Sequence, residues 1–213
     1  YPYTLLLSNM GNQVIGIDTS YIGKNYIKLL VKNGVVSFTR DVLYIILRKN
    51  TKYYKVLGAK YNKVDIRLGN AEKLEFPDTT FDLVVSNAVF EHIENVAKAV
   101  SELARVLKSG GIAYISIHLF PSLSGGHQFN YLNTSEVLPW GHLRKGVYAP
   151  VYLNKMRESE FLNIFKEYFN ILEVKDGIEE GRELLIPEIR EELKAYSERD
   201  LLNRDINIVA KKL

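Results

Sequence analysis

Apolar and polar positions along this chain change period several times, and each change marks an element. Tyr3, Leu6, Leu7 and Met10 recur at helical spacing, and Gly11 with Asn12 supplies a stop, so residues 3–10 are expected to be helical. "QVIGID" then reads as a buried strand ending in Asp18. Ile22, Tyr26, Leu29 and Leu30 mark the apolar face of the next helix, closing at Asn33 and Gly34. From 39 to 62 the pattern is helical again, with Thr39 as cap and a tyrosine-rich second piece, "TKYYKVLGAKYN"; the segment looks inserted.

"VDIRLGN" alternates Val64, Ile66 and Leu68 with Asp65 and Arg67, as an edge strand with one wet face should. "LVVS" at 83–86 and "IAYISI" at 112–117 are almost continuously apolar, which predicts central parallel strands covered on both faces. Between them Ile93, Val96, Ala97, Val100, Leu103 and Leu107 form a helix stripe that ends at "SGG". The last third predicts a helix around "EFLNIFKEYF", a strand "ILEV", a helix opened by Pro187, a capping-box pattern "SERD" at 197–200 and a final strand "INIVA". There is no internal repeat. The alternation of strands and helices predicts an α/β fold with a doubly wound, mostly parallel sheet.

Composition narrows the chemistry. The 213 residues suffice for one sizeable domain. The net charge of +3 comes from 28 basic and 25 acidic residues that are interspersed, so no nucleic-acid-binding stripe stands out. No cysteine is present, which excludes disulfides, thiolate metal sites and a cysteine nucleophile. No apolar run approaches the length of a membrane span and no basic segment precedes the first apolar residues, so a cytoplasmic protein is expected.

Three stretches, "VIGIDTS", "GNAEKLEFPDTTFDLVVSNAVFEHI" and "ARVLKSGGIAYIS", resemble in kind and order those of the class I methyltransferases that use S-adenosylmethionine, in particular the group with a "GDAExLPF...FD" signature. The resemblance covers about residues 1–118. It implies a Rossmann-like fold whose seven strands follow the order 3-2-1-4-5-7-6, S-adenosylmethionine as cofactor, and a small-molecule acceptor such as a sugar, a lipid or another metabolite. It also implies 118–160 as the acceptor-pocket region of a single domain over 1–213; 35–62, rich in tyrosine and apolar residues, reads as a helical insertion that serves as lid, dimer surface or pocket wall, or packs its apolar stripes against the sheet or the domain's own helices.

Under that resemblance Asp18, at a strand's carboxyl end, accepts from both ribose hydroxyls; capping the following helix is the other reading, and Ser20 could do that equally well. Asn70 and the backbone N–H of Ala71 meet the adenine edge, Asn70 standing where the family usually has aspartate; a plain turn is the alternative. Ser86 and Asn87 lie along the methionine part of the cofactor. His92, expected with Glu91 at the start of a helix, and His127 and His142 in the aromatic-rich stretch after residue 118 are candidates for taking a proton near the acceptor; surface or packing roles are the bland readings. Spacings among His118, His127 and His142 do not match a helix-borne zinc pair, so no metal site is expected.

The family's glycine-rich loop between first strand and first helix has no counterpart here. "TLLL" cannot be that strand, because only Ser8–Gln13 separate it from Val14, whereas a parallel crossover needs about a dozen residues or more. The expectation is that the chain starts inside the first helix, with the central first strand and the loop upstream. Two other readings stay open: a methyltransferase-like module that binds without catalysis, and a nicotinamide-dependent oxidoreductase, which uses the same strand, acid and helix arrangement.

Overall fold

The computed structural model describes residues 2–19, 65–128, 138–147 and 149–213. Two compact units divide the chain, Tyr1–Asn70 and Ala71–Leu213. The expected helix at 22–34 and the insertion at 35–62 lie outside the described residues.

In the first unit, helix α1 (Pro2–Asn9) begins with proline, whose missing N–H costs nothing at a helix start. It ends where Gly11 takes a left-handed φ of 87° and the Asn12 side chain donates to the Leu7 carbonyl at 2.9 Å. Strand β1 (Ile15–Asp18) then pairs in parallel with β2 (Asp65–Leu68), Asp18 opposite Leu68. The alternation expected of β2 is incomplete, since Leu68 is exposed along with Asp65 and Arg67. Residues 2–13 form no strand.

The second unit is a four-stranded sheet in the order β3-β4-β6-β5, made of β3 (Phe81–Asn87), β4 (Leu107–His118), β5 (Phe169–Asp176) and β6 (Asp205–Lys212). β3 and β4 are parallel, and β6 runs antiparallel to both of its neighbours. At the sheet's centre Ala113, Ile115 and Ile117 of β4 lie opposite Ala210, Ile208 and Ile206 of β6, and all six are fully buried. Such directly opposed apolar pairs fix the register, because a one-residue slip would turn every one of them to the other face.

Helix α2 (Val96–Val106) is capped by Asn95, whose side chain accepts from the Lys98 N–H at 3.0 Å. Its buried face is Val96, Ala99, Val100, Leu103 and Ala104; Ala97 of the expected stripe is exposed. Helix α4 (Glu158–Lys166), after the single-turn α3 (Gly141–Arg144), buries Phe161 and Phe165. Phe90, Phe165 and Phe169 follow one another with ring centroids 5.6 and 5.8 Å apart. Helices α5 (Pro187–Glu192) and α6 (Glu198–Leu202) complete a second apolar cluster with Leu123 and Trp140. The Ser197–Asp200 capping box forms as its sequence predicts, each side chain accepting from the other residue's N–H at 3.0 Å.

Three expectations need correction. β3 is an edge of its sheet, with Leu83 42% exposed, because only β4 pairs with it among the described residues. The helix ends at Val106, before "SGG"; Gly110, at φ 71°, belongs to an irregular stretch of β4 where the pairing jumps from Phe81–Leu107 to Leu83–Ile112. Glu91 and His92 occupy a separate 3₁₀ turn, Phe90–His92, and do not open α2.

The quoted stretches around 72–82 and 104–111 are clasped together. Arg105 donates to the carbonyls of Leu74 and Phe76, both at 2.8 Å, and to the carboxylates of Asp78 and Glu102. Glu102 also accepts from the Leu74 N–H at 2.7 Å, and Lys108 reaches Asp82 at 2.8 Å. An irregular loop thereby has its backbone groups satisfied by a planar, five-donor side chain on a helix.

Candidate functional site

The site begins where β3 and β4 end. Ser86 and Asn87 close β3 opposite Ile115 and Ser116, and the Ala88 N–H donates to the Ser116 carbonyl at 2.9 Å. Ala88 takes a left-handed φ of 50° there, which turns the chain into Phe90–His92. Phe90 plugs into the core, and Asn154 clamps the turn: its side chain donates to the carbonyls of Phe90 and Ile93, and its N–H to that of Glu91 at 2.9 Å. Glu91 is thereby carried inward to 3% exposure, while His92 stays partly in solvent.

His118 is the last residue of β4. The chain then turns tightly through Phe120–Gly126 and delivers His127, whose φ of 55° is uncommon for a residue with a Cβ. The His127 ring stacks on His118 with centroids 4.8 Å apart and meets His92 edge-on, also at 4.8 Å. His142 packs against Gly126 and edge-on to Phe120, 5.0 Å between centroids. All 4 histidines of the chain therefore converge beyond the carboxyl ends of two parallel strands, the edge where α/β sheets hold ligands.

Acceptors around them fix the ring tautomers. His92 Nδ1 lies 2.8 Å from the Tyr152 carbonyl and His142 Nε2 lies 2.8 Å from that of Phe120. A carbonyl only accepts, so these nitrogens carry the protons and leave His92 Nε2 and His142 Nδ1 with lone pairs. His118 Nε2 lies 2.9 Å from Ser124 Oγ, and that hydroxyl donates its single proton to Glu180 at 2.6 Å. The hydroxyl must accept from His118, which leaves the lone pair on Nδ1.

Burial shapes the charges. It holds His118 down to about 3, helped by His127, and His142 down to about 4 against the pull of the Phe120 carbonyl. His127 is lowered chiefly by burial and then by His92. Burial raises Glu91 to about 6; the backbone at Glu91 itself, the His92 ring and the backbone at His118 pull the other way, and Asp205 adds to the rise. Neither carboxylate oxygen of Glu91 has a hydrogen-bond partner among the described residues, and His92 Nε2 stands 4.0 Å away. The cluster at neutral pH thus combines the neutral imidazoles of His118, His127 and His142 with one buried, predominantly ionised carboxylate.

Of the residues singled out in the sequence, His92 and His127 touch, and His142 lies within electrostatic reach of both His118 and His127. Asp18 ends β1 in the first unit, its carbonyl accepting from the Gly69 N–H at 3.1 Å; Asn70 is that unit's last residue and Ala71 opens the second. Sequence reasoning gave no role to Glu91, His118, Ser124, Asn154 or Glu180. The one usable signal was Glu91 beside His92 just past an apolar strand. The sole tryptophan, Trp140, is fully buried and donates to the Leu201 carbonyl at 3.2 Å, as part of the core.

Comparison with known proteins agrees with the fold and with the three motif stretches. The family model for a methyltransferase domain matches residues 2–115. A ubiquinone/menaquinone biosynthesis C-methyltransferase from Hydrogenovibrio crunogenus is 48% identical over 105 residues, 47% of this chain and 40% of that protein. An ajmaline N-methyltransferase from Rauvolfia serpentina is 36% identical over 67 residues, 32% of this chain and 23% of that protein. The chain spans less than half the length of these relatives. The crystal structure of a methyltransferase from Methanosarcina mazei, 17% identical, superposes with a TM-score of 0.54 over 99% of this chain and 86% of its own. With more than half of its residues inside the family match, the chain belongs to the methyltransferase domain family, among the class I S-adenosylmethionine-dependent methyltransferases.

Proposed function

We propose that the protein transfers the methyl group of S-adenosylmethionine to a small-molecule acceptor held beside the histidine cluster. The family match over residues 2–115, which contains the first two motif stretches and all but the last residue of the third, carries this reading. The similar proteins methylate, by their names, a carbon of a quinone precursor in one case and a nitrogen of an alkaloid in another, which supports a small organic acceptor and leaves its reacting atom open. A cytoplasmic setting is part of the same proposal. No helix among the described residues is long and apolar enough to cross a membrane.

When bound, the cofactor supplies a methyl group already activated on a sulfonium, so the protein's task is alignment and removal of the acceptor's proton. Asp18 is assigned the ribose hydroxyls, Asn70 and the Ala71 N–H the adenine edge, and Ser86 with Asn87 the methionine part. His92 takes the proton at Nε2, the nitrogen that its bond to the Tyr152 carbonyl leaves free to accept. His127 and His142 line the acceptor's side as neutral imidazoles.

Titration calorimetry of the full chain with S-adenosylhomocysteine tests the reading, together with transfer of a labelled methyl group to phenols, quinols and amines. Binding is expected, and Asp18→Ala should weaken it at least about tenfold, the loss of one charge-assisted hydrogen bond or more. Absence of binding, or binding unchanged by Asp18→Ala, would refute it.

A further inference from the structure

The reaction above makes no use of the least solvated charge in the site. Glu91 is 3% exposed, and neither of its carboxylate oxygens is hydrogen-bonded within the described residues. A carboxylate in that condition calls for a cation, and the side chains around it are imidazoles.

We propose that Glu91, His118 and His127 form a binding site for one divalent transition-metal ion of the zinc or cobalt kind. One ligand atom from each lies within 4.8 Å of the other two. A triangle of that size puts each atom about 2.8 Å from a common centre, so closure onto bonds of about 2.0–2.1 Å needs a shift of about 0.7 Å per ligand. Side-chain rotation on three separate elements supplies that. One carboxylate and two imidazoles suit zinc, cobalt or iron, whereas calcium and magnesium prefer all-oxygen sets.

The surroundings support the set. Metal-bound histidines commonly donate their second ring nitrogen to an acceptor that fixes their orientation. His118 has that partner in Ser124, itself held by Glu180 through both its hydroxyl and its N–H, at 2.6 and 2.7 Å. The left-handed backbone at His127 brings its ring onto His118. The nearby Arg204 is paired with Asp205 at 2.8 Å, which reduces its repulsion of a cation. His118 and His127 are both partly exposed, giving an ion a way in. Three protein ligands leave at least one coordination position for water or an oxygen of a bound molecule, with His92 Nε2 close by. The three ligands come from a turn, a strand end and a loop, an arrangement that a search of the sequence for a helix-borne pair does not find.

The proposal does not depend on methyl transfer. The test is calorimetric titration of the untagged, chelator-treated full chain with zinc chloride at pH 7.5, with cobalt(II) absorption as a second readout. One zinc per chain is expected. Glu91→Gln and His127→Ala should each weaken binding on the order of 100-fold or more, and Ser124→Ala, which removes no ligand, by about 10–100-fold. Glu91→Gln removes a buried charge, so its circular dichroism should match the parent's and its melt should stay cooperative, with a midpoint no lower than the parent's. His142→Gln should leave zinc binding within about threefold of the parent's, since that ring lies outside the ligand set. No equimolar binding by the parent, or binding retained by Glu91→Gln and His127→Ala, overturns the proposal. Titration with S-adenosylhomocysteine on the same samples shows separately whether the cofactor reading stands.

Discussion

Replacing Glu91 by glutamine should make the metal-free protein more stable at neutral pH. Burial raises this carboxyl from 4.5 to about 6 in the folded chain. Between these values the folded state keeps a proton that the unfolded state has lost, so stability falls as pH rises through the window. Above it the ionised carboxylate costs the fold about 2 kcal/mol, a rise of about 1.5 pKa units at about 1.36 kcal/mol each. Glutamine behaves as a permanently protonated carboxyl: neutral, polar and of the same shape. Glu91→Gln should therefore gain about 2 kcal/mol at pH 7.5 and only about 0.8 kcal/mol at pH 5.0. For a chain of 213 residues this corresponds to about 4–8 °C in Tm at the higher pH. Urea denaturation in the presence of a chelator, at both pH values, measures the two gains. A loss of about 1 kcal/mol or more at pH 7.5, or a gain equal at both, would refute the account of Glu91 as a desolvated, unsatisfied charge.

Two further substitutions probe the same scaffold. His142, held down to about 4 by burial, has the opposite sign: the unfolded chain binds its proton first, so stability is lost as pH falls from about 6.5 toward 4. His142→Gln should remove about 3 kcal/mol of that acid loss, read from urea midpoints across the range, and an unchanged pH profile would count against it. Trp140→Ala should destabilise by about 3–5 kcal/mol, measured by circular dichroism because it deletes the sole tryptophan, and a cost below about 1 kcal/mol would exclude the buried packing described here.

The buried acid and its histidines also show where sequence reading stops. Glu91 and His92 are neighbours in a polar dipeptide, and nothing in periodicity tells which of them turns inward. Phe90 and Asn154 decide it, and Asn154 lies more than sixty positions away. The same limit applies to β3: its apolar run reads as a central strand, yet among the described residues it pairs on one side only, because a strand's neighbours are set by the whole sheet and not by its own residues. Arg105 is similar. Its place in "ARVLKSGG" is visible in the sequence, but the carbonyls it satisfies belong to a loop about thirty residues earlier.

By itself the sequence determined the elements whose causes are local. Pro187 at a helix start, Gly11 at a helix end, the Ser197–Asp200 box, the 3.6-residue stripe of α2 and the apolar runs of β4 and β6 all act within a few residues, so they survive reading in one dimension. The family, too, was legible in its motifs. Tertiary structure alone decided the site. Parallel pairing of β3 with β4 places their carboxyl ends side by side, and the turns that follow bring residues 91, 92, 118, 127 and 142 together. Desolvation, which sets the charge of each, depends on everything packed around it and has no period in the sequence.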